Sequence, residues 1–389
     1  MVERLVHIEE VAGSNPASRK IMKIFLCGDV MIGRGIDQIL LYPSNPKIYE
    51  PFVKDARDYI KLAEKINVKI NYPVSFDYIW GDAFQELEKE NPNLRIINLE
   101  TTINTSENFE PKGINYRMNP KNIEVLKVFK IDVACLANNH ILDFKEEGLL
   151  ETIEVLNKNR ILTVGEGKNI KEAEKPVIIS KNKNLRTLIF NYADVLSVVP
   201  SWWKAIEDKN GVNLISIYNL GNKRELEVIN VIKRNIQKYK KGNDFVIFSI
   251  HWGPNWGYKI SEEERNFAYQ LIEKAKVDLI FGHSSHHFKG VETYKEKLII
   301  YGAGDFINDY EGIRDYEEFR GDLVLDYLVE IEETNKIDKL KLLPFRIKNF
   351  RLNYCNEKEI DWIFNVLKRE SKIEGNLIKE EKRIIIKIK

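Results

Sequence analysis

Five of the chain's six histidines stand in three short polar segments: Asn138-Asn139-His140, His251-Trp252-Gly253 and Gly282-His283-Ser284-Ser285-His286-His287. Two further segments, Cys27-Gly28-Asp29 and Asn98-Leu99-Glu100, carry carboxylates. Each of the five directly follows an apolar run that reads as a strand. Open α/β sheets bind ligands just beyond the carboxyl ends of their strands. Carboxylates, amides and imidazoles delivered there from separate strands are the donor set of a divalent-metal hydrolytic centre, with one or two ions of the Mn, Fe or Zn type. Taken singly, each residue has an ordinary reading: a strand-end Asp or Asn caps a loop, and a lone His hydrogen-bonds structurally. Metal-capable groups at five consecutive strand ends favour one shared site. His287 is expected to face solvent from a loop, and only His7 lies outside the set.

The elements that must position these groups are legible in the hydrophobic pattern. Nearly continuous apolar runs at 24–28, 94–99, 131–137, 185–192, 245–250, 277–281, 298–301, 323–331 and 340–347 read as strands, most of them buried on both faces. Helical periodicity lies between them, at 82–90, 120–129, 144–157, 224–240 and 262–276, the last opened by a capping box of Ser261 and Glu264. The alternation predicts an α/β architecture with two packed sheets and helices outside. Two stretches interrupt it: an insertion at about 37–81 containing a helix over 51–66, and a loop-rich segment at 193–221. Long excursions of this kind are often lids or binding loops. The tail, 356–389, reads as one helix and one strand.

Composition narrows the function classes. The 389 residues carry 60 basic and 59 acidic side chains, net +1, with no basic stripe for nucleic acid. The lysine clusters at 181–183 and 238–241 read as solvated loops. Cys27, Cys135 and Cys355 form no paired framework, which suggests a reducing compartment. No apolar run is long enough to span a membrane. Residues 1–21 include Val11-Ala12-Gly13-Ser14-Asn15-Pro16-Ala17, which looks like a translated transfer-RNA T-arm. The expectation is a start at Met22 and a cytoplasmic protein, with a genuine disordered arm as the other reading. The main domain is then 22–347, followed by a small C-terminal extension, 348–389.

Together the segments Gly28-Asp29-Val30-Met31-Ile32-Gly33-Arg34, Asn98-Leu99-Glu100, Ala137-Asn138-Asn139-His140, His251-Trp252-Gly253 and Gly282-His283-Ser284-Ser285-His286 resemble, in order, the signature of the CapA capsule-synthesis proteins. These are associated with poly-γ-glutamate capsule production and have a calcineurin-like metallophosphatase fold. The resemblance covers roughly residues 23–310 and implies a four-layer α-β-β-α sandwich. It implies that Glu100 bridges two metals, that Asn139, His251 and His283 complete one of them, and that Asp29 and His286 serve the other. It implies that His140 is the general acid, a role suited to an imidazole titrating near neutrality, and that a metal-activated water is the nucleophile. The chain departs from true metallophosphatases at Met31, where their Asp-x-His motif has His; a thioether is a poor ligand for hard divalent ions. Glu100 is longer than the usual bridging Asp, and Asp305 in Tyr301-Gly302-Ala303-Gly304-Asp305-Phe306 stands where Asn is common.

The expected substrate is an anionic small molecule or polymer, phosphorylated or polycarboxylate. Lys112, Arg117, Lys289 and Arg34 are cations in segments adjoining the motifs. Arg34 is grouped with Asp29 and His140 as a catalytic residue, with pairing to a neighbouring carboxylate as its other reading. Trp252, with Trp256, Tyr258, Trp202 and Trp203, either lines a substrate groove or packs the insertions onto the body. The leading functional expectation is a metal-dependent hydrolase or transferase linked to capsule-type polymer metabolism. The alternatives are a non-catalytic accessory protein of an envelope-polymer synthase and a metal-independent acid/base isomerase or epimerase.

Overall fold

The computed structural model describes residues 21–182, 185–218 and 221–388. The leader reading for residues 1–20, and His7 with it, lies outside the described residues. Among the described residues the strands form two large sheets, of ten and seven strands, and two small two-stranded ones. In the larger sheet, Met22–Val30 lies centrally. It runs parallel to Leu94–Leu99 and to the short strand Asp305–Ile307, and antiparallel to Leu323–Ile331. In the smaller sheet, Phe245–His251 lies between Leu185–Asp194 and Leu279–His283, parallel to both.

Alternation along these strands sorts their side chains into three cores. Ile24, Leu26 and Ile96 of the larger sheet meet Phe245, Ile247 and Phe281 of the smaller one between the sheets. Phe25, Cys27 and Ile97 face outward against Trp80, Leu87, Leu126 and Phe129. Val246, Phe248 and Ile280 face the opposite way, against Ile229, Ile232, Phe267 and Leu271 of the helices Gly221–Tyr239 and Glu262–Ala275. Each of these large apolar side chains contributes about 1.5–3 kcal/mol on burial. The two sheets thus share one core and each packs a further core on its other face. The expected capping box forms: Ser261 accepts from the Glu264 amide, and the Glu264 side chain accepts from the Ser261 amide.

Several boundaries differ from the periodicity. The insertion's helix begins only at Arg57, because 47–55 is folded back by a bridge between Lys47 and Asp55. The stretch expected as one helix at 120–129 divides into a turn at Pro120–Asn122 and a helix at Glu124–Val128. The tail holds a helix, Glu357–Glu370, and two strands rather than one. Arg383–Ile388 pairs with Ile337–Ile347 and Gly375–Glu380 forms the sheet edge. Ile360, Ile363 and Leu367 of that helix enter the core between the sheets, so the tail is built into the body. No helix among the described residues is long and apolar enough to cross a membrane.

Candidate metal centre

Chain register brings the strand-end motifs together. Asp29 stands level with Asn98 on one neighbour and with Asp305 on the other. The strands approach closely here because position 28 is glycine: a Cβ on Gly28 would sit 1.7 Å from the Gly304 carbonyl oxygen. In the smaller sheet, His251 and His283 are direct parallel partners. The two sheet ends meet where the Ser284 amide donates to Asp29 Oδ2 at 3.2 Å. Ser284 holds φ +98°, an uncommon backbone for a serine and one that tends to mark functional sites.

Two triads result, each with ligand-capable atoms within 4.8 Å of one another: Asp29, His251 and His283, and Asp29, His286 and Asp305. Asp29 belongs to both. His251 Nδ1 and His283 Nδ1 are 2.8 Å apart, and His283 Nδ1 is 3.8 Å from Asp29 Oδ1. The other nitrogen of His283 meets Ser249 Oγ at 2.9 Å, which fixes the ring. His286 Nδ1 lies 3.0 Å from Asp305 Oδ1, and Asn308 donates to Asp305 Oδ2 at 2.6 Å. Asn98 donates to Asp29 Oδ1 at 2.6 Å.

Glu100 adjoins these triads, its carboxyl lying against Asp29. Both carboxylate oxygens of Glu100 and the Oδ1 of Asn139 are buried with no hydrogen-bond donor, and the Glu100 carboxyl sits within hydrogen-bond reach of the Asp29 carboxyl. An unsatisfied buried carboxylate is costly. Burial, then Asp29 and Asp305, push the Glu100 carboxyl well above its usual range. Burial, then Asp305, raise Asp29 to about 7, while His286 and Asn98 oppose them. Burial lowers the His283 imidazole to about 3 and, with His283 beside it, takes His251 well down. His286 is also buried, yet Asp305 leaves it raised overall. Neutral imidazoles and crowded carboxylates are the condition in which a bound cation relieves repulsion. The donors present, with Glu100 unsatisfied among them, fit a divalent ion.

His140 occupies the margin of this cluster, with Nε2 3.7 Å from Glu100 Oε1. Its Nδ1 is 2.6 Å from Asp143 Oδ2, and Tyr116 presses edge-on to the ring. Lys112 Nζ is 2.9 Å from Asp143 Oδ1 and 3.2 Å from His140 Nδ1. Burial lowers His140 to about 4; Asp143 pulls the other way and Lys112 adds to the lowering. Desolvation thus favours the neutral form of this imidazole.

The remaining expected site residues have other company. Arg34 is buried and fully engaged: its guanidinium contacts both oxygens of Asp309, Glu50 Oε1 at 2.7 Å and Tyr59 Oη at 3.0 Å. Its carboxylate partners are these rather than Asp29. Arg117 contacts the Ser106 carbonyl and, at 3.0 Å, Glu107, over the Phe144 ring. Lys289 is buried 4.0 Å from Glu264. Trp252 is buried, stacks on Tyr301 and donates to the Tyr301 carbonyl at 2.8 Å, so its face is packed rather than offered to a groove. His287 corrects the solvent-facing expectation. It is 1% exposed, stacked on Phe319 and Trp256, and accepts from the Gly257 amide at 3.1 Å. Aromatic residues on the 256–258 and 316–319 loops close over it. Asp143, Asn98, Asn308 and Ser249 carried no expected role. Asp143, three residues after His140, and Asn308, three after Asp305, offered local clues; Asn98 and Ser249 depended on register.

The arrangement defines an α/β protein with a buried histidine–carboxylate centre between two sheet ends. Residues 23–310 match the family described as bacterial capsule synthesis protein PGA_cap, and the chain belongs to that family. A probable polyglutamine synthesis accessory protein of Mycobacterium tuberculosis is 37% identical over 90% of this chain and 92% of that protein. The capsule biosynthesis protein CapA of Bacillus anthracis is 22% identical over 77% of this chain and 63% of its own length. The PGA biosynthesis protein CapA of Bacillus subtilis is 25% identical over 75% and 64%.

Proposed function

We propose that this CapA-like protein is a metal-dependent hydrolase or transferase acting on a phosphorylated or polyanionic substrate in capsule- or polyglutamate-type polymer metabolism, on a metallophosphatase-type four-layer sandwich. One observation carries this reading: two ligand triads share Asp29 beside the buried carboxylate of Glu100, which no donor reaches. Asp29, Glu100, Asn139, His251, His283 and His286 would hold the metal. A divalent ion supplies Lewis-acid charge and makes a water nucleophilic at neutral pH. The chain's own contribution is orientation and proton handling. Asp143 and Tyr116 fix the His140 ring, so that Nε2 is the atom that takes and returns a proton. Lys112, bonded to Asp143 beside the centre, is the cation best placed to meet an anionic substrate. The buried, free cysteines fit a cytoplasmic location.

The test is elemental analysis of purified protein beside a His251→Ala/His283→Ala control, with phosphoesterase assays under added Mn2+. Metal bound to the wild type and lost in the control, together with activity, supports the reading. No metal and no activity overturns it. A second reading, a non-catalytic accessory role in polymer synthesis, is favoured by the likeness to the mycobacterial accessory protein. Metal binding without turnover of any phosphoester, joined to co-purification with synthase subunits, would select it.

A further inference from the structure

Position 31, where the resemblance leads one to expect a histidine ligand, holds a buried methionine. On ligand type alone, half of the centre is then deficient. The structure offers a replacement from a different strand. Asp305 ends the close approach at Gly304, stands level with Asp29 and is 1% exposed. Its Oδ1 is 3.0 Å from His286 Nδ1, and Asn308 fixes its Oδ2. Its carboxylate and those of Asp29 and Glu100 are buried near one another, with no donor reaching the Glu100 oxygens. We propose that Asp305 is itself a metal ligand, and that with Asp29, His286 and the adjoining Glu100 it builds an oxygen-rich half-site for a Mn2+-type ion beside the histidine-rich half made by Asp29, His251 and His283. Carboxylate-rich sets suit harder divalent ions, whereas paired imidazoles suit borderline ones. The proposal rests on the metal-dependent reading above and goes beyond it by assigning the ligand that stands in for position 31.

The test separates ligation from simple support of His286. Asp305→Asn keeps an oxygen that can accept from His286, and removes the charge. Mn2+ binding to the full chain is counted by titration and followed by electron paramagnetic resonance, with circular dichroism and thermal melting as fold controls. The expected result is two ions bound by the wild type with a spin-coupled signal. In Asp305→Asn one site weakens at least about tenfold and the signal becomes that of an isolated ion. Asp305→Ser, which needs less room, is the second variant and should show the same loss. Two sites retained at unchanged affinity in a folded variant would overturn the role of Asp305 and leave the metal reading intact. A wild type that binds no Mn2+, Zn2+ or iron would overturn both.

Discussion

At the scale of single residues, the centre divides its work between groups that could bind metal and groups that hold them. His251 belongs to the first kind: its imidazole faces His283 and is kept neutral by burial. His251→Ala is expected to remove the ion of the histidine-rich half while the melting temperature of the metal-free protein shifts little; elemental analysis and calorimetry check this. A large loss of stability with unchanged metal content would make His251 structural. His140 lies beyond the triads, so His140→Ala should leave metal content intact and lower kcat by about 100- to 10,000-fold. Asp143→Asn disturbs the ring's orientation and should lower kcat less, with KM nearly unchanged.

At the scale of elements, the insertion at 37–81 behaves as a wall of the body. Arg34 clamps Asp309, which follows the Asp305–Ile307 strand, to Glu50 and Tyr59 of the insertion, between the rings of Tyr59 and Tyr116. Ile60, Ala63, Ile79 and Trp80 bury themselves in the helix–sheet core. Removing one partner of a buried charge network leaves the others uncompensated. Arg34→Met should therefore destabilise the protein by about 3–5 kcal/mol, read by denaturant unfolding, and open the insertion to proteolysis. Unchanged stability and protease resistance would mean the insertion holds without the clamp. Gly28 is the other element-level control. A methyl group there meets the Gly304 carbonyl, so Gly28→Ala must push the strands apart and separate Asp29 from Asp305. A loss of about 1–3 kcal/mol and weakened metal binding are expected.

For the whole molecule, buried carboxylates away from the centre contribute to the pH dependence of stability. Asp326 on Leu323–Ile331 is raised to about 8 by burial, while the Leu343 amide that donates to it pulls the other way. An unfolded aspartate ionises near pH 4. Between about pH 4 and pH 8 the unfolded chain has released this proton and the folded protein has kept it, so this residue makes stability fall as pH rises through that window. Asp326→Asn removes the effect. The variant should match the wild type near pH 4 and exceed it by about 1–3 kcal/mol at pH 8, measured by urea unfolding across pH. An advantage that does not grow with pH would place the proton elsewhere.

Residue type and periodicity by themselves determined the nine strands that are continuous apolar runs, the α/β class, the capping box at Ser261, and the polar segments at strand ends that carry Asp29, Glu100, Asn139, His251, His283 and His286. Those follow from local pattern: continuous apolar runs, and polar groups at their ends that are costly to bury alone. The tertiary structure decided which of these groups meet. Asp305 joins Asp29 because a ten-stranded sheet sets a short, late strand against the first one, and glycine lets them touch. Arg34 is saturated because an insertion and a distant loop supply its carboxylates. His287, beside His286 in sequence, is buried under aromatic loops, and Trp252 turns into the core. Such outcomes depend on long-range register and on where desolvation falls, and neither is carried by a residue's immediate neighbours in the chain.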